Sequence, residues 1–124
     1  MKIKESAENY LETIYMLKAK KGNVRSIDIV NELEYTKPSV SIAMKNLREN
    51  GYITMDAEGL ITLTEKGVAV AEKMYERHTV ISSLLIKLGV SGECAASDAC
   101  KIEHVISEES FDAIKKYVDV EKNN

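Results

Sequence analysis

The stretch Ser26–Glu49, SIDIVNELEYTKPSVSIAMKNLRE, decides the architecture. Ser26 is a residue type that caps helices, and Ile29, Val30 and Leu33 share one helical face, so a short helix is predicted over Ile27–Leu33. Glu34-Tyr35-Thr36-Lys37 has the length of a turn between packed helices. Pro38, with its fixed φ and missing N–H, suits the first turn of a second helix. That helix runs to about Glu49 with Val40, Met44 and Leu47 inward, and Gly51 ends it. Two short helices on a tight turn, the second basic and rich in serine at its start, have helix-turn-helix geometry. The candidate DNA contacts are Thr36, Lys37, Pro38, Ser39, Ser41, Lys45 and Arg48, with Arg25 and Ser26 at the head of the first helix. Hydroxyls at a helix start suit phosphates and base edges, and Lys and Arg suit phosphates.

Upstream, residues 5–20 read as a helix: Tyr10, Leu11, Ile14, Tyr15 and Leu17 recur at helical spacing, Ser6 is the expected cap and Gly22 the stop. Asn9 and Glu12 lie three apart on this helix, and taken alone read as solvated surface. Downstream the period changes. Tyr52–Met55 and Leu60–Leu63 are β-prone runs around Asp56-Ala57-Glu58-Gly59, a four-residue hairpin loop. A hairpin directly after a helix-turn-helix is a wing, an element that commonly reaches the phosphate backbone or the minor groove.

Thr64-Glu65-Lys66-Gly67 caps a long helix over about 65–88, carrying Val68, Ala71, Met74, Tyr75, Val80, Ile81, Leu84, Leu85 and Leu88, with Gly89 as terminator. Ser91 caps a fifth helix over about 92–106 and Ser107 a sixth from Glu108 to about Val118. Glu108 and Glu109 fall in its first turn, where the helix dipole favours them. The tail Glu121–Asn124 is expected to fray. The fold class is mainly α: a winged helix-turn-helix domain over residues 1–66 and a helical domain over 67–124, connected by the long helix.

The 124 residues carry a formal net charge of −3, which by itself speaks against nucleic acid. The charge is segregated, however. Six Lys and Arg face three Asp and Glu between Lys20 and Arg48, whereas five Lys face eight acids from Lys87 onward. A basic middle and an acidic end fit a nucleic-acid reader with a separate sensing or assembly end. No apolar run approaches the ~18–20 residues of a membrane span and no signal-peptide pattern opens the chain, so no membrane partner and a cytoplasmic location are expected.

Chemistry concentrates in Ala99-Cys100-Lys101-Ile102-Glu103-His104. Cys100, Glu103 and His104 stand at i, i+3 and i+4, which places a thiol, a carboxylate and an imidazole on one helical face. His78, late in the fourth helix, offers a further nitrogen, and Asn9 and Glu12 offer oxygens from the first. Such a set suits a divalent ion of intermediate softness, Fe(II), Co(II), Ni(II) or Zn(II), and Mn(II) less well because of the thiol. An enzyme is not expected, since Cys100 and His104 lack an oxyanion hole or orienting group. Cys94 and Cys100, six apart on one helix, point away from each other and do not form a disulfide. A thiol-based redox sensor using Cys100 or Cys94 in the same winged-helix frame is the alternative of a different class.

Together these residues resemble the diphtheria-toxin-repressor and manganese-transport-regulator family of metal-dependent transcriptional repressors. The matching pieces are Glu8-Asn9-Tyr10-Leu11-Glu12-Thr13-Ile14-Tyr15, Asp28-Ile29, Pro38-Ser39-Val40, Leu63-Thr64-Glu65-Lys66-Gly67, Arg77-His78 and Ala99 through Ser107. The resemblance implies a winged-helix domain, a helical metal-binding and dimerisation domain, a homodimer on pseudo-palindromic double-stranded operator DNA, and activation by Fe(II) or Mn(II). It assigns Cys100, Glu103 and His104 to the regulatory metal site, with Asn9 where the first helix supplies a ligand, usually Met in iron-type and Asp in manganese-type members. Glu12 and His78 match ligands of the manganese-type paired site. Cys100 is the iron-type residue where manganese-type members place a bridging Glu. Ser82 and Ala96 stand where an iron-type ancillary site has a carboxylate and an imidazole. The chain is a hybrid, short like the manganese type with iron-type chemistry at Cys100, so Fe(II) is expected ahead of Mn(II).

Overall fold

Apolar residues at helical spacing, interrupted once by a pair of β-prone runs, give six helices and one hairpin among the residues described, 5–122, in a computed structural model. These are α1 (Glu5–Lys21), α2 (Ser26–Leu33), α3 (Lys37–Glu49), β1 (Ile53–Met55), β2 (Ile61–Leu63), α4 (Glu65–Lys87), α5 (Gly92–Val105) and α6 (Glu108–Lys122). The chain divides into two compact units, one up to Glu72 and one from Lys73, with the division falling inside α4.

The first unit is a winged helix. Its core is Leu11, Ile14 and Leu17 of α1, Ile29 of α2, Val40, Met44 and Leu47 of α3, and Ile53 and Ile61 of the hairpin. Val24, between α1 and α2, is buried with them, and its carbonyl accepts from Ile61 N–H at 2.8 Å, which anchors β2. The hairpin is antiparallel with Ile53 opposite Leu63, Thr54 opposite Thr62 and Met55 opposite Ile61. Asp56 Oδ1 accepts from the N–H groups of Glu58 and Leu60, both at 2.9 Å, and Gly59 takes φ +82°, which closes the loop. Gly67 answers a different demand: a Cβ there would lie 2.1 Å from the Tyr52 carbonyl oxygen, so α4 packs onto the hairpin only with glycine at this point.

The second unit gathers Ile81 of α4, Ala99 of α5 and Phe111 of α6 into a small core, flanked by Val80, Leu85, Ile102 and Ile106. Ser91 Oγ accepts from Cys94 N–H and Ser107 Oγ from Ser110 N–H, so both serines cap the helices expected of them.

Several local expectations need correction. Ser6 lies inside α1 rather than capping it. Arg25, not Ser26, is the N-cap of α2, because Asp28 turns its carboxylate back to the Arg25 N–H at 2.8 Å and fixes the start one residue earlier. Of the apolar residues along α4, Tyr75 and Leu88 are 43% and 70% exposed. The sixth helix continues past Val118 to Lys122, so Glu121 and Lys122 are helical, while Asn123 and Asn124 lie outside the described residues. Among those residues no helix is long and apolar enough to cross a membrane.

Candidate metal centre and nucleic-acid interface

Regular α5 geometry brings Cys100, Glu103 and His104 together: one ligand atom from each lies within 4.8 Å of the others. Glu103 has no exposed surface, and neither of its carboxylate oxygens has a hydrogen-bond partner among the described residues. Both oxygens instead meet imidazoles at ion-pair distance, Oε1 at 3.4 Å from His104 Nε2 and Oε2 at 3.4 Å from His78 Nδ1. The carboxylate beside it holds the His78 imidazole above the usual histidine range, against the opposing effect of burial.

A fully buried carboxylate with only long, 3.4 Å contacts to imidazoles is costly in a protein interior. Between two imidazoles and a thiol, it becomes a donor set that a divalent cation would complete, with soft, borderline and hard ligands in one cluster. The residues therefore fit such an ion. Arg77, itself buried, supports them from α4: its Nη1 donates to the carbonyls of Glu103 at 3.0 Å and Ile106 at 2.9 Å, and its guanidinium carbon lies 5.4 Å from the centre of the Phe111 ring. The sequence singled out Arg77 only as a neighbour of His78. A cation on an otherwise packed helix face was the signal.

The two oxygen donors expected from α1 lie in the first unit. Glu12 is 4% exposed, which overturns its reading as solvated surface, and Asn9 is half-buried with its carbonyl accepting from Thr13 Oγ1 at 2.8 Å. Cys94 is free and exposed, its Sγ 3.7 Å from Asp98 Oδ2. An acid beside a thiol is the opposite of the cationic setting that activates a thiolate.

On the winged helix, Arg25, Thr36, Lys37, Pro38, Ser39, Ser41, Lys45 and Arg48 are exposed and Ser26 is half-buried. Two of these hydroxyls already serve the fold: Thr36 Oγ1 accepts from Ser39 N–H at 3.3 Å and donates to Ser39 Oγ at 2.8 Å, capping α3. Arg25 donates from Nε to the Glu58 carbonyl at 3.3 Å and so braces the hairpin loop. Asp56 and Glu58 make that loop acidic, a poor match for phosphates.

Comparison with known proteins agrees with this geometry. Residues 2–59 match the family model for the N-terminal DNA-binding domain of iron-dependent repressors, and residues 64–123 match the model for their metal-binding and dimerisation domain. The chain belongs to the iron-dependent repressor family. It is 34% identical over 114 residues to the transcriptional regulator MntR of Escherichia coli O6:H1, covering 92% of this chain and 74% of that one. It is 32% identical over 117 residues to an uncharacterised HTH-type transcriptional regulator of Methanocaldococcus jannaschii, covering 93% and 94%. Among solved structures, the metal-dependent transcriptional regulator MtsR superposes with a TM-score of 0.83 at 26% identity, covering 91% of this chain and 53% of that one. IdeR of T. acidophilum gives 0.78 at 25%, covering 94% and 55%. The chain thus spans about half the length of those two structures. This repressor family consists of metal-dependent transcriptional regulators, not enzymes, and the mainly helical, winged-helix fold class read from the sequence is its fold.

Proposed function

We propose that this chain is a repressor that binds pseudo-palindromic operator DNA as a homodimer when loaded with a divalent metal, with Fe(II) preferred to Mn(II). The observation that carries the reading is Glu103: a fully buried carboxylate whose two oxygens meet His78 and His104 at 3.4 Å, set beside Cys100. A thiol in the set supports Fe(II) over the harder Mn(II). Manganese is the second reading, favoured by the resemblance of Glu12 and His78 to manganese-type ligands. The same resemblance supports Asn9 and Glu12 as the oxygen donors from α1. A bound ion would supply a charge on which ligands from α1 and from α4 and α5 converge. Sharing it would restrict the orientations of the DNA reader to those that seat two recognition helices in successive major grooves. On the reader, Arg25, Ser26, Thr36, Lys37, Pro38, Ser39, Ser41, Lys45 and Arg48 form the assigned DNA surface, and cytoplasmic residence follows from that role.

Operator affinity measured anaerobically with Fe(II), with Mn(II) and with chelator tests the proposal. Affinity at least tenfold higher with metal, and saturating at lower Fe(II) than Mn(II), is expected. Equal affinity in all three conditions would refute the sensor role.

A further inference from the structure

Helix α3 buries Val40, Met44 and Leu47. At about 100° per residue, the direction opposite that stripe belongs to Ile42. Ile42 is 63% exposed, and Ser39, Lys45 and Asn46 surround it on the same outer face, all exposed as well. Neither helix propensity nor packing within this unit accounts for a β-branched apolar residue there, since Lys, Gln or Ala would favour the helix more. No acid interrupts the run from Thr36 to Arg48, while Lys37, Lys45 and Arg48 supply positive charge.

A stiff aliphatic side chain set among hydroxyl, amide and cationic groups has a specific complement in duplex DNA. Cations meet phosphates, and the one apolar group on the major-groove edge of the bases is the 5-methyl of thymine. Because Ile χ1 is already restricted in a helix, little side-chain freedom is lost on contact. We propose that Ile42 is a specificity-determining residue that reads a thymine methyl in the operator major groove. The inference rests on the DNA-reading function proposed above.

The test uses the full chain with Fe(II), and separately with Mn(II), to select duplexes from a random-sequence pool. The best duplex is then resynthesised with deoxyuridine in place of each thymidine in turn, which removes only the methyl. At one thymine per half-site the replacement should weaken binding about three- to fivefold, the scale of one buried methyl group. Ile42→Ala should bind the thymidine and deoxyuridine forms equally at that position, and should unfold no more readily than wild type because the side chain is exposed and Ala favours the helix. Indifference of the wild-type chain to every deoxyuridine, or full sensitivity retained in Ile42→Ala, overturns the role of Ile42 and leaves the DNA-reading function intact. Failure to enrich any duplex with either metal overturns both.

Discussion

Arg77 donates a hydrogen bond to the backbone carbonyl of Glu103, 3.0 Å away, and with the same nitrogen to Ile106. A buried cation thus closes the C-terminal end of α5, where helix carbonyls otherwise lack partners and the dipole is negative. Of the two residues it holds, Glu103 carries the carboxylate of the candidate metal centre, and His104 lies in the stretch between them.

Arg77→Met should therefore lower stability by about 2–3 kcal/mol, the scale of buried hydrogen bonds made by a charged group. Metal affinity should fall about tenfold, as when an outer partner of a ligand is lost. Urea unfolding and metal titration of the same variant check both. Unchanged metal affinity in a folded variant would show that Arg77 serves the fold alone.

Glu103 presents the converse case. Removing this carboxylate relieves its desolvation but also leaves His78 and His104 without their acidic partner, so Glu103→Met should leave metal-free stability within about 1 kcal/mol of wild type. The wild-type chain should gain about 2.7 kcal/mol from metal at a hundred times its dissociation constant, and the variant nothing. Thermal unfolding with and without Mn(II) reads both effects. A loss of about 3 kcal/mol or more without metal would show that the carboxylate serves the fold and contradict this view of the site.

At Gly67 the issue is space. Gly67→Ala places a methyl against the Tyr52 carbonyl and should cost about 1–3 kcal/mol through displacement of α4 from the hairpin. Loss of hydrogen-exchange protection at Thr64, whose N–H donates to that carbonyl at 3.0 Å, would locate the damage. A variant as stable as wild type would show that the junction yields freely.

Asp28 gives the winged helix a pH dependence. The Lys21 ammonium, and then the Arg25 N–H, hold its carboxyl below the usual carboxylate range. A depressed native value gives stabilisation that is complete above the unfolded-state value of about 4 and is lost as pH falls through the native one. Asp28→Ala should cost about 1 kcal/mol at pH 7, and the gap to wild type should shrink below about pH 4. A gap of constant size down to pH 2 would exclude the carboxylate as its source.

Much of this protein was legible because its signals are local. Pro38 after a capped turn, Gly51 and Gly89 at helix ends, and Ser91 and Ser107 at helix starts each specify a boundary through backbone chemistry that needs no distant partner. The spacing of Cys100, Glu103 and His104 works in the same way, since one helix alone brings the three together. What escaped depends on partners far along the chain. The burial of Glu12, the brace from Arg25 to the hairpin loop, the anchoring of β2 by Val24 and the clamp from Arg77 to the end of α5 leave no periodic trace. At Tyr75 and Leu88 helical spacing placed apolar residues on α4 without telling a core face from an exposed one. Ile42 escaped for a related reason, because an apolar residue between Ser41 and Ala43 carries no sign of its face until its exposure is known.

The proposed sensor that governs DNA binding is the cluster around Glu103. Its most direct test is the Glu103→Ala, His104→Ala double variant, assayed anaerobically for bound Fe(II) and for operator affinity on one sample. The expected result is a folded protein that retains less than about a tenth of the wild-type metal and binds operator as weakly with Fe(II) as wild type does with chelator. Full metal-dependent operator binding by that variant would contradict it.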